Sequence, residues 1–178
     1  THIYARLKAG LTASATAYLQ KKVTIASAGA TSVIDTLYGV VFTPSITSST
    51  TTLNGFTYAQ NAGPSAEQSF SVSALASVPV GLKAPLNYEI SLTSGSSFTD
   101  TLTLSPVSDT NATVPSTMVY VRLKAGLVAG NYNDSVSLSS NGAITQYVHL
   151  TGTVTPVTVT PTIGMPVPMS LSGFTYVE

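Results

Sequence analysis

The chain has no cysteine and no tryptophan, and only 8% of its 178 residues are charged. Without thiols there is no disulfide, no thiolate metal site and no cysteine nucleophile. Seven Lys plus Arg balance seven Asp plus Glu for a formal net charge of zero. Neither sign is concentrated in any stretch, so electrostatic capture of nucleic acid or of an anionic membrane is not expected. Long apolar runs are missing too. The mean hydropathy is +0.31, yet Ser, Thr, Gly or Pro interrupts every apolar stretch well short of the roughly 18 residues a spanning helix needs. The expectation is a soluble chain that does not span a membrane. Its polar surface is mostly hydroxyl, which argues for an extracellular setting more than the missing thiols argue for an intracellular one. The opening Thr1-His2-Ile3-Tyr4 reads as a strand and not as a leader.

What is present is an internal repeat. Residues 4–11 read YARLKAGL and residues 120–127 read YVRLKAGL, 116 residues apart and alike at every position but one. Gly55-Phe56-Thr57-Tyr58 returns as Gly173-Phe174-Thr175-Tyr176, 118 residues later. Gly29-Ala30 and Gly39 find counterparts in Gly142-Ala143 and Gly152 at a spacing of 113, which places a three-residue insertion near residues 18–22 of the first copy. The order of these echoes lays the chain out as the end of one module (1–43), a complete module (44–156), and a connector leading into the start of a third (157–178).

Within the complete module, short segments bounded by Gly, Pro, Asn and Ser alternate with period two, the mark of half-buried strands. Phe70, Val72 and Ala74 alternate with serines; Tyr88, Ile90 and Leu92 with Glu89, Ser91 and Thr93; Val119, Val121 and Leu123 with Tyr120, Arg122 and Lys124. Val136 and Leu138, and Val148, Leu150 and Val154, repeat the pattern, Leu102 and Leu104 oppose threonines, and residues 45–53 and 78–83 supply two further segments. Seven or eight strands in roughly 110 residues is the scale of an immunoglobulin-like antiparallel β-sandwich, here in tandem repeats. A module of this size can bury a sufficient core without disulfides. Residues 153–168, rich in Pro and Thr, read as a stiff extended connector.

The segments GFTYAQNAGPSAEQSFSVS, NYEISLTSGSSFTDTLTLSP and MVYVRLKAGLVAGNYNDSVSLSS resemble a repeat found in large cell-surface and secreted proteins of Bacteroidota. Gliding-motility adhesins and other cargo of the type IX secretion system are examples. The resemblance implies cell-surface display and a stalk or adhesin role, and it marks scaffold positions, not an active site. It also directs attention to Asp followed by Ser or Thr and then an apolar residue, the O-glycan acceptor pattern of that phylum. Asp35-Thr36-Leu37, Asp100-Thr101-Leu102 and Asp134-Ser135-Val136 fit it, making Thr36, Thr101 and Ser135 the candidate glycosylation sites. Such triplets also arise by chance where Ser and Thr alternate with apolar residues.

No other constellation carries chemistry. His2 and His149 fall on outward phases of separate modules, with no partners spaced for a triad or a metal cluster. No two carboxylates lie closer than nine residues in sequence, so no carboxylate-rich calcium loop or hydrolytic pair is expected. No catalytic residue, cofactor or metal is therefore assigned. Arg6/Lys8 and Arg122/Lys124 share strand faces with Tyr4 and Tyr120, which suits either a ligand-binding strip or a solubilising, charge-guarded edge. The function expected is that of a structural or adhesive repeat, a stalk or surface-display module and not an enzyme. It would pair through β-strands with neighbouring repeats or identical subunits and meet surface glycans. The alternative is a carbohydrate-binding accessory module of a secreted hydrolase, with Tyr58, Tyr88, Tyr132 and Tyr147 as its aromatic platform.

Overall fold

A computed structural model describes residues 2–14, 20–107, 112–159, 161, 164, 172–173 and 175–178. Among these lie eleven strands: β1 (Lys21–Ile25), β2 (Val33–Leu37), β3 (Ser45–Ser48), β4 (Thr52–Ala59), β5 (Gln68–Leu75), β6 (Val80–Lys83), β7 (Tyr88–Ser91), β8 (Thr101–Leu104), β9 (Thr113–Leu123), β10 (Gly130–Ser139) and β11 (Gln146–Thr155). No helix among the described residues is long and apolar enough to cross a membrane.

Alternation drives the architecture. Each strand turns one set of side chains inward, and two such faces must cover each other to leave water. The sheets are β4-β11-β10-β6-β8 and β3-β5-β9-β7, with β1 and β2 forming a separate hairpin. The chain is thus an all-β, immunoglobulin-like sandwich. Phe70 and Val72 from β5, Val119, Val121 and Leu123 from β9, Val136 and Leu138 from β10, and Val148 and Leu150 from β11 meet in the core. Each large side chain fully buried in this way contributes on the order of 1.5–3 kcal/mol. Among the described residues, the buried apolar ones all lie between Ile46 and Val154.

The strand pattern differs from expectation in four places. Residues 45–53 are two strands in different sheets: the chain crosses between them at residues 49–51, where the Ser48 hydroxyl donates to the Thr50 carbonyl at 2.7 Å. With that crossing the sandwich holds nine strands. β7 stops at Ser91, which is buried where Leu92 was expected; its Oγ donates to the Ser96 and Thr93 carbonyls and accepts from Thr93 N, and that turn throws Leu92 outward. Residues 2–8 form no strand, because a strand needs neighbours. Their counterparts in β9 pair with both β5 and β7, and the first 43 residues contain no equivalent of either. The strand expected over residues 171–177 lies partly outside the described residues, and Ser172, Gly173 and residues 175–178 belong to none. Residues 15–19, which include the first two of the expected insertion at 18–22, also lie outside them.

The hairpin β1–β2 reproduces β10–β11 in detail. Lys21↔Leu37 and Ile25↔Val33 close the first ladder, and Asp134↔Leu150 and Leu138↔Gln146 stand at the same places in the second, 113 residues on. Gly29 and Gly142 each take φ +80° in the turn, where Ala30 N and Ala143 N donate to Ser27 O and Ser140 O at 3.1 Å. A Cβ on Gly152 would sit 2.7 Å from Leu123 Cδ1, and one on Gly39 would sit 2.9 Å from Leu7 Cδ1, the same leucine of the repeated RLKAGL. The residue types diverge at several positions, most sharply where exposed Asp35 stands in place of fully buried Val148 in the second copy.

Candidate functional site

The two repeated signatures turn out to be halves of one clasp. The Tyr58 hydroxyl donates to the Lys124 carbonyl at 2.7 Å and accepts from Leu127 N at 3.1 Å, so GFTY holds the turn of RLKAGL shut. Two positions earlier, buried Phe56 meets Tyr88 edge to face with ring centroids 5.4 Å apart. Both aromatics are presented by β4, which runs parallel to β11 from Thr52 beside His149 to Ala59 beside Thr155. The ladder shifts register between Thr151 and Gly152. Gly55, at φ +80°, makes the matching excursion in β4, which a side chain would resist. The first long strand of the sandwich's five-stranded sheet is therefore bonded directly to its last.

Lys83, Ser135, Tyr147 and His149 on the outer face of the five-stranded sheet, with Asp100 before β8 and Lys124 after β9, line a shallow concavity of about 830 Å³. Ser135 and His149 face each other across β10–β11, with Oγ 2.8 Å from Nδ1. Sequence reasoning left His149 without a partner; counting back from the Ser140–Ala143 turn through the hairpin register would have found it. A hydroxyl beside an imidazole is only a fraction of a nucleophilic centre, which also needs an acid orienting the ring and donors for an oxyanion. The Asp134 carboxylate instead accepts from Ser135 N at 2.8 Å. Among the described residues no three His, Asp or Glu side chains gather as metal ligands.

The three candidate acceptor hydroxyls do not converge. Thr101 is exposed on β8, at the edge of the five-stranded sheet. Ser135 lies half-buried on the same outer face, with its hydroxyl engaged by His149. Thr36 stands opposite Lys22 in the separate hairpin. The second basic pair is spent on structure: Arg122 bonds Glu89 at 2.7 Å and covers the Phe98 ring at 3.8 Å, and Lys124 reaches Asp100 at 2.6 Å. β9 is an inner strand of its sheet, so these charges do not guard an edge. Glu67 accepts from the Ser94 hydroxyl and from Gly95 N, and these bonds hold its carboxyl below the ordinary value of 4.5.

The four tyrosines do not form a platform. Tyr88 is fully buried with its hydroxyl on the Tyr132 carbonyl at 2.7 Å, Tyr58 is engaged in the clasp, and the Tyr132 hydroxyl donates to Val128 O. Only Tyr147 of the four, at 52% exposure, presents an open ring. Burial, reinforced by the nearby Asp134 charge, pushes Tyr88 from 10.0 up to about 12. Its neutral form is favoured in the folded state, so this stabilisation is complete below pH 10 and drains away as pH rises from 10 towards 12. The loss should be about 2 kcal/mol. Urea melts across that window should show it, and Tyr88→Phe should remove this share of the alkaline slope.

No protein-family model matches the chain, and no curated protein matches it in sequence. Among solved structures it is similar to the PapD-like domain 7 of human CEP192, at 10% identity over 64% of this chain and 87% of that one, with a TM-score of 0.37. It is similar to the CooA pilin subunit from enterotoxigenic Escherichia coli, at 16% identity over 64% of this chain and 99% of that one, TM-score 0.37. It is also similar to a family 123 glycoside hydrolase from Clostridium perfringens, at 12% identity over 67% of this chain but 24% of that one, TM-score 0.36. These likenesses concern fold alone.

Proposed function

We propose that the chain is a structural repeat of a bacterial cell-surface or filament-forming protein, a spacer that carries tension and displays whatever lies beyond it. The observation that carries this reading is the parallel ladder between β4 and β11. Once the short β3, whose four residues pair antiparallel with β5, has been drawn off, a pull on the sandwich's two ends draws these neighbouring strands in opposite directions along their length. Their hydrogen bonds are then loaded together in shear and do not open one after another, so the connectivity suits a module that must stay folded under load. The repeated hairpin register and the repeated leucine-over-glycine contact support a tandem array, with residues 44–156 as its folding unit. The kinship proposed is with the large Bacteroidota surface repeats, and the role is mechanical, not catalytic. The competing accessory-module reading would rest on Tyr147 alone.

Surface display has a direct test: on intact cells of the native host, an impermeant amine label should modify Lys83 and other exposed lysines of this chain. Labelling only after lysis contradicts the reading. Glycosylation at Thr36, Thr101 and Ser135 belongs to the same proposal. Thr101, exposed at a sheet edge, should be the most fully occupied, and Ser135, whose hydroxyl is engaged, the least. Peptide mapping of the native protein checks this, and unmodified peptides at all three positions refute it.

A further inference from the structure

Asparagine stands directly before glycine at two places, Asn54-Gly55 and Asn141-Gly142. The pair is chemically labile, because a glycine nitrogen has no neighbouring side chain to keep it from the asparagine carboxamide carbon and its backbone turns freely. The structure treats the two pairs differently. Gly55 N donates to the Thr151 hydroxyl at 3.3 Å, and the same hydroxyl donates to Asn54 Oδ1 at 3.1 Å. The Asn54 carbonyl accepts from Gln68 Nε2 at 2.8 Å, and the strand around it is laddered to β11. Nitrogen, carboxamide and main chain are all held.

Nothing comparable holds the second pair. Asn141 and Gly142 are exposed in the turn between β10 and β11, and neither the Asn141 carboxamide nor Gly142 N bonds to any described residue. The ladder ends at Leu138↔Gln146, so rotation of the peptide between Asn141 and Gly142 is opposed only by the turn's own bond, from Ala143 N to Ser140 O at 3.1 Å. That rotation brings Gly142 N onto Asn141 Cγ. The repeat shows that the turn does not need the asparagine. Ser27-Ala28-Gly29-Ala30 closes with the same 3.1 Å bond, and Gly29 takes the same φ of +80° as Gly142, with Ala28 in the place of Asn141.

We infer that Asn141 is a site of spontaneous modification, losing its amide through a cyclic imide with Gly142, and that Thr151 protects Asn54 from the same reaction. Water is the co-reactant. Gly142 N gives up its proton to solvent and bonds to Asn141 Cγ, the side-chain nitrogen takes a proton from solvent and departs as ammonia, and a succinimide remains. Water then opens the ring. Attack at Cγ gives aspartate, whereas attack at the main-chain carbonyl carbon gives isoaspartate, in which the chain runs on through Cβ and Cγ. Either product adds a carboxylate to a chain whose formal net charge is zero. Isoaspartate also lengthens the main chain of the turn beside Pro44, whose Cγ already lies 3.2 Å from where a Cβ on Gly142 would stand. The change falls where the chain enters the sandwich, just ahead of β3.

This chemistry does not depend on the spacer reading, and it has its own test. The full chain is kept folded in mildly alkaline buffer, with a second sample in concentrated urea, and peptides from both are followed over time by mass and by an isoaspartate-specific methyltransferase. In the folded chain the peptide containing Asn141 should lose its amide, with isoaspartate among the products, while the peptide containing Asn54 keeps its own. In urea the two should convert at similar rates, because the protection of Asn54 belongs to the fold. Asn141→Ala, which copies Ala28 of the first turn, should abolish the more acidic species that folded wild type accumulates on ion exchange. Thr151→Val, which removes both bonds to the first pair, should open Asn54 to conversion in the folded chain. A folded chain in which Asn141 keeps its amide, or in which Asn54 converts as fast as Asn141, overturns the inference, as does an acidic species that survives Asn141→Ala. Asn54 left intact in folded Thr151→Val overturns the role given to Thr151.

Discussion

Replacing Phe56 by Ala should lower the unfolding free energy of the sandwich by about 3–5 kcal/mol, the range for deleting a fully buried aromatic ring. Phe56 is 1% exposed, stacks edge to face on Tyr88, and belongs to the strand that ties the start of the module to its end. The cavity would open between β4 and the opposite sheet, where Tyr88 is itself held by a bond to Tyr132 O and has little freedom to collapse into it. Urea unfolding of the full chain measures the effect as a lower midpoint at unchanged slope. A loss below about 1 kcal/mol would mean that the ring is not a core element.

Gly152→Val should destabilise the sandwich by overpacking, at or above the upper end of the usual range of about 1–3 kcal/mol. A Cβ there would lie 2.6 Å from the Tyr88 hydroxyl and 2.7 Å from Leu123 Cδ1, and both side chains are fully buried. The repeat supplies an internal control. Gly39→Val meets only Leu7, at 2.9 Å, and Leu7 is 42% exposed and can swing aside. The same substitution 113 residues earlier should therefore leave the unfolding of the sandwich unchanged. Equal effects at the two glycines would show that their surroundings are not as described.

The sandwich was legible in the sequence wherever alternation was unbroken. β5, β10, β11 and the second half of β9 bury the residues that the period-two pattern picks out, because each is covered on one face, whereas the first half of β9 shifts register against β5 and turns Val114 and Thr117 inward three apart. β4 was harder to see. Its inward residues Leu53 and Phe56 are three apart, because the excursion at Gly55 inserts an extra residue, and periodicity alone cannot register that. Ser91 reads as an outward residue, yet three local hydrogen bonds let it be buried. The clasp was half visible. Both signatures stood out as repeats, but that Tyr58 closes the Lys124–Leu127 turn depends on contacts 66 and 69 residues apart in sequence, which no local pattern encodes. The Ser135–His149 contact was hidden for the same reason, and the buried tyrosines resembled a platform only until the sheets assigned them to the interior.

Stretching the full chain from its two ends in a single-molecule instrument tests the spacer reading most directly. The antiparallel hairpin β1–β2 is pulled at adjacent ends, so its hydrogen bonds break singly, in succession, and it should open early at low force. The sandwich, with β4 and β11 loaded in shear, should then hold to a clearly higher force. It should give way in one event whose length gain matches the unravelling of β4 through β11. Forced unfolding reports the unfolding barrier, so the height of that event measures the resistance the parallel ladder is proposed to provide. A sandwich that lengthens gradually, or that yields at no more force than the hairpin, would contradict the account.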